Sequence, residues 1–60
     1  MRLIELHDVN NPTRVLPFDA DDFARAIPMN QGCAVFGKGS DYAVLVHESA
    51  CEVMMLIEGV

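Results

Sequence analysis

Four side chains in this sequence are of the types that hold metals or attack carbonyls: His7, Cys33, His47 and Cys51. Two histidines and two cysteines match the donor set of a structural zinc site, but such sites space their ligands in short pairs, and these four are scattered. Strand-borne histidine and small buried cysteine are the plainer account. Cys51 falls in the first turn of a predicted helix, where thiols gain reactivity, and His47 stands four residues before it. A Cys–His nucleophile also needs an oxyanion site and a cleft for substrate, and so small a chain has little room for either. Gly37-Lys38-Gly39-Ser40 resembles a phosphate loop superficially but lacks the Walker spacing and opens no helix; it reads as a hairpin turn. Asp19, Asp21 and Asp22 crowd three carboxylates into four positions. A hard cation could bind weakly there, yet the Gly and distal Glu of an EF-hand loop are missing, and helix capping explains the acids better. The sequence assigns no catalytic residue, no metal ligand and no cofactor, and a non-enzyme is expected.

The elements that must position these residues are organised around 41–58. Tyr42 to His47 is apolar on both alternating faces, the pattern of a strand covered on both sides. Ser49 and Glu52 then form a capping box, and an apolar helix is predicted over 50–58. Upstream, strands are predicted at about 2–7, 13–18, 24–28, 33–36 and 41–47. Ile4 and Leu6 share one side of the first. The turn formers Asp8 to Pro12 make a hairpin loop. Pro17 cannot donate a ladder hydrogen bond, which places the second strand at an edge or a bulge. The stretch 19–28 is ambiguous: Ala20, Phe23, Ala24 and Ile27 keep helical spacing, while Phe23, Arg25, Ile27 and Met29 alternate as a strand. The reading adopted is a helical turn near Ala20 to Phe23 that passes into a strand ending by Pro28. The expected fold is a single α+β domain spanning 1–60, a small antiparallel β-meander or half-open barrel of four to five strands closed by the C-terminal helix.

A chain of 60 residues buries only about 60% of its unfolded surface, and small domains of this kind commonly add a disulfide, a metal or a partner. Here 52% of residues are hydrophobic, more than one small core can hold. Along the helix, Ala50, Val53, Met54 and Ile57 form the stripe expected to face the sheet. Cys51, Met55 and Leu56 lie outside it and suggest a second contact, for which methionine is well adapted. A homo-oligomer or a larger protein partner is therefore expected, with Cys51, Met55 and Leu56 as partner-binding residues.

Nine acidic residues against four Lys and Arg give a formal charge of −5, and Arg2, Arg14, Arg25 and Lys38 stand apart from one another, so direct nucleic-acid binding is not expected. Asp19, Asp21, Asp22, Asp41 and Glu48 make an acidic patch that could mimic nucleic acid toward a host enzyme, giving an alternative function as an inhibitor or modulator; solubility is the plainer use of such charge. Met1-Arg2-Leu3 leads into a polar stretch without a signal-peptide apolar core, and no run approaches the roughly 18 apolar residues of a membrane span. Two cysteines make no disulfide framework. The expected setting is the reduced cytoplasm, with no membrane partner.

The order of elements, together with Ile4-Glu5-Leu6, Phe18-Asp19-Ala20-Asp21, Val44-Leu45-Val46-His47-Glu48-Ser49 and Glu52-Val53 with the apolar tail Met54 to Ile57, resembles the small flagellar FlbD-type family. Similar small proteins are also at home in phage and prophage genomes. The resemblance implies a bacterial or phage cytoplasmic protein with a β-rich fold and a terminal helix, and no catalytic residue. The expected function is a small non-enzymatic protein–protein interaction module, self-associating or adaptor-like.

Overall fold

The first hairpin shows how alternation becomes packing. In the structure, a computed structural model that describes residues 2–59, β1 (Leu3–His7) pairs antiparallel with β2 (Val15–Asp19) in the register Ile4↔Phe18, Glu5↔Pro17 and Leu6↔Leu16. Ile4 and Leu6 point into the core and are almost fully buried, while Leu3 and Glu5 point out. Asp8 and Asn11 build the connection: the Asp8 side chain accepts from the Asn10 N–H at 2.9 Å, and that of Asn11 accepts from the Thr13 hydroxyl at 2.7 Å. Bonds flanking the ladder, Asp8 N–H to the Arg14 carbonyl and Ala20 N–H to the Arg2 carbonyl, put the β1–β2 hydrogen bonds on the even-numbered residues of β1. Glu5↔Pro17 is thus a pair that exchanges no backbone bond. Pro17 sits where its missing N–H costs nothing, with its nitrogen toward the outer edge of β2.

Asp19 ends β2 and caps the next turn, its carboxylate accepting from the Asp21 N–H at 2.9 Å. A single 3₁₀ turn, Ala20–Asp22, leads into β3 (Phe23–Pro28), which pairs with β4 (Cys33–Gly37), and β4 with β5 (Ala43–Val46). Between Phe23 and Arg25 the register shifts, leaving Ala24 as a bulge. The bulge explains why neither simple periodicity fits 19–28: it lets Phe23 and Ala26 both pack on the core and sends Arg25 and Ile27 outward. The β3–β4 turn closes on Gly32 at φ 71°, where a Cβ would stand 1.8 Å from the Val46 carbonyl oxygen. Only glycine fits there.

The two sheets meet at one bridge, Asp8↔Val46. The His47 N–H donates to the His7 carbonyl at 2.6 Å, and the Val9 N–H to the Leu45 carbonyl at 3.4 Å. Helix α1 (Ala50–Gly59) packs on β3 and β1, with Val53 fully buried and Ala50 and Ile57 beside it. Leu6, Val35, Val46 and Val53 form the centre of one core fed by both sheets and the helix.

The α+β class, the antiparallel strands, the short turn at 20–22 and the closing helix match the sequence reading. Three details differ. The strands divide into a two-stranded and a three-stranded sheet in place of one continuous meander, with the 3₁₀ turn standing between β2 and β3. The fifth strand is not covered on both faces: Leu45, on the outer face, is 46% exposed, and on the core side Val46 is buried while Val44, opposite Val35, is still 37% exposed. Helix α1 packs mainly on β3 and β1, which leaves Val44 at the margin of the core, and among the described elements none is layered on the outer face. Met54, expected inward, is 40% exposed, since Ala50, Val53 and Ile57 already fill the contact.

Candidate functional site

An open groove of about 500 Å³ runs between β1 and α1, lined by Glu5, His7, Glu48, Glu52, Met55 and Leu56. Its centre is Glu48, which stands between the end of β5 and the start of the helix. One carboxylate oxygen accepts from the His7 backbone N–H at 2.9 Å, and the other meets His7 Nδ1 at 2.5 Å. The bridge pattern explains the first contact. His7 and His47 are opposed where the sheets join, and the His7 N–H would ordinarily donate to the His47 carbonyl. The carboxylate of Glu48 takes that place and ends the pairing of β5 with β1. Burial pushes the Glu48 carboxyl up, but the hydrogen bonds from His7 outweigh it and hold the group below its usual value. Its side chain is only 11% exposed.

Beyond Glu48 the chain turns into the helix. The Ser49 hydroxyl accepts from the Glu52 N–H at 3.2 Å and lies 3.4 Å from the Glu52 carboxylate, so the capping box forms its first arm. The helix then presents Met55, 66% exposed, and Leu56, 37% exposed, to the groove. Cys51 is exposed one turn before Met55 but is not part of the lining. Of the three residues expected to bind a partner, the structure brings Met55 and Leu56 into one place and leaves Cys51 outside it.

The acidic residues do not gather into one patch. Asp19 and Asp21 are engaged with Arg2: its backbone N–H donates to Asp19 at 3.3 Å and its Nε to Asp21 at 2.8 Å. The Arg2 hydrogen bond holds the Asp21 carboxyl below its usual range. Asp22 packs against Gly37, and its carbonyl accepts from the Lys38 N–H at 2.8 Å. Asp41 is exposed in the β4–β5 turn, and Glu48 is bound to His7. Glu5 and Glu52 belong to the groove and were not singled out from the sequence as site residues. The outward alternation of Glu5 and the i+3 position of Glu52 after Ser49 were the only local signs of them.

Among the described residues, no three His, Cys, Asp or Glu side chains converge as metal ligands. Cys33 is buried, and burial, then the nearby Glu48 charge, push its thiol up, away from the reactive thiolate. No hydrogen bond among the described residues joins His47 to Cys51. A second depression, about 680 Å³, is lined by Val9, Pro28, Met29, Asn30, Gln31 and Leu45 and brings no titratable side chain together. No described helix is long and apolar enough to cross a membrane. No family model, no curated protein and no solved structure matches the chain.

Proposed function

We propose that this chain is a small non-enzymatic protein–protein interaction module of bacterial or phage origin, acting in the cytoplasm through the groove between β1 and α1, either on a second copy or on a larger protein. The FlbD-type resemblance belongs to this proposal. The observation that carries it is the helix face at Met55 and Leu56. These side chains stay exposed beside Glu5, Glu48 and Glu52, although the chain has already closed its core around Val53. An apolar strip rimmed by charge is the ordinary signature of an interaction surface. The inhibitor reading, with its shared field from five carboxylates, is less well supported, because Asp21 is paired to Arg2 and Glu48 to His7.

Capture of partners from bacterial lysate by immobilised chain tests the proposal. Leu56→Glu and Met55→Glu should abolish specific capture while leaving the circular dichroism spectrum unchanged, since both side chains are exposed. Capture that is insensitive to both substitutions would remove the groove from the account.

A further inference from the structure

The groove carries a feature that its side chains do not reveal. In β1 the even-numbered residues bond to β2, so the N–H and C=O groups of the odd-numbered residues point to the opposite edge. At His7 that edge is occupied: Glu48 accepts from its N–H and His47 donates to its carbonyl. Two residues earlier it is not. Pairing with β5 stops at the Asp8↔Val46 bridge, and no other strand pairs with β1 on that side among the described residues. No hydrogen bond among them, outside the β1–β2 ladder, engages the Glu5 backbone. The edge at Leu3 and Glu5 is therefore an open template for a further strand.

We infer that the groove takes an extended basic segment of a partner protein, added as a strand to the open edge of β1, and this rests on the reading of the groove as an interaction surface. Three observations select this occupant. Main-chain donors and acceptors of the Glu5 peptide groups suit an extended chain, which supplies backbone groups at the matching spacing. A residue placed opposite Glu5 shares its outward face, so a Lys or Arg there makes a cross-strand pair of opposite charge. Its neighbours alternate to the other face and reach Met55 and Leu56, which favours aliphatic residues between the basic ones. Glu48 and Glu52 extend the negative potential along the groove. A second copy fits poorly: two β1 edges paired about Glu5 would set like charges directly opposed, in a chain already at −5.

Isothermal titration of the full chain with synthetic peptides is the test. The probe alternates Lys and Val over six residues. One control replaces each Lys with Glu. A second keeps the Lys-Val sequence and carries N-methyl groups on the backbone amides of alternate residues, prepared in both registers, which removes strand pairing but not charge. The Lys-Val peptide should bind one to one, and either N-methyl register that blocks the edge should bind roughly tenfold more weakly or worse. The Glu-Val peptide should not bind. Glu5→Lys should reverse the preference between the Lys and Glu peptides, and Glu5→Gln should weaken the Lys peptide alone. Equal binding by both N-methyl registers and the parent would overturn strand addition. Binding of the Glu-Val peptide to the unaltered chain would overturn the charge argument. A concentration-dependent dimer that Glu5→Lys strengthens, with no peptide bound, would put a second copy in the groove instead. If lysate capture depends on Leu56 but the Lys-Val peptide fails to bind, the interaction module stands and this inference alone falls.

Discussion

The two outward surfaces of this molecule are built on opposite terms. On the β1–α1 side, the backbone edge is left open at Glu5, while the side chains around it are charged and one of them, Glu48, is held by two contacts from His7. On the outer face of the three-stranded sheet, the central strand β4 is paired on both sides, and the side chains are apolar. Ile27, Ala34 and Leu45 form one row across it, and Arg25, Phe36 and Ala43 the next. Ala34 is only 6% exposed and yet lies outside the core cluster, because Ile27 and Leu45 shield it from either side. Arg25 lies over the Phe36 ring, 4.6 Å from its centre, and brings the one charge in these two rows. The comparison separates exposed apolar area from a place to bind. The free backbone groups of that sheet lie at its β3 and β5 edges and not on the face, and its two apolar rows hold no acid to choose a basic partner, whereas the groove brings an open edge and acids together.

Several substitutions would break or sharpen this contrast. The largest effect is expected at Gly32, which anchors the sheet side. Gly32→Ala combines an unfavourable positive φ with a Cβ that meets the Val46 carbonyl, and it should cost about 3 kcal/mol or more in urea unfolding. A loss under about 1 kcal/mol would mean that the turn is not held against β5 as described.

Glu48→Gln removes the charge from the groove's centre while keeping its shape. It should cost roughly 1.5–3 kcal/mol near neutral pH, the range for a hydrogen bond to a charged group. The pH dependence carries a sign. The folded Glu48 carboxyl titrates below its ordinary value of 4.5, so its contribution is fully present above that value. It is lost as pH falls through the lower, folded value. The native chain should therefore lose stability on acidification below pH 4.5 more steeply than the Gln variant. Parallel acid-unfolding curves would show that Glu48 and His7 are not coupled.

Smaller effects are expected on the sheet face. Arg25→Ala should cost about 0.5–1 kcal/mol through the lost contact with Phe36, read as a shift in the thermal midpoint, and should leave peptide binding untouched. Ile27→Lys, on the same face, should change stability by no more than about 0.5 kcal/mol and peptide affinity not at all. A peptide affinity that falls with Ile27→Lys but not with Leu56→Glu would exchange the roles of the two surfaces.

Much of this contrast could be read in advance, and what could not has a common cause. The strands at 24–28 and 33–36, the turn after Gly37, the capping box at Ser49 and Glu52 and the exposure of Met55 and Leu56 all follow from local rules of spacing and turn chemistry, and the structure places them there. The bulge at Ala24 was invisible because it satisfies two periodicities in part and neither in full. The exposure of Val44 and Leu45 is not legible locally, because an apolar run tells what a strand could bury, while what covers each of its faces depends on the whole chain. The contact of Glu48 with His7 spans 41 positions, and no local pattern announces it. Cys51 falls outside the inward stripe with Met55 and Leu56, and it lies one turn before Met55, yet the groove is lined beyond it, from Glu52 to Leu56.

Amide hydrogen exchange at Glu5, followed residue by residue with and without the Lys-Val peptide, tests the central claim most directly. The Glu5 amide should exchange quickly in the free chain while that of Leu6, bonded into the ladder with β2, is protected, and the peptide should slow Glu5 selectively. A Glu5 amide that is already protected in the free chain, or that the bound peptide leaves unchanged, would contradict an open edge on β1.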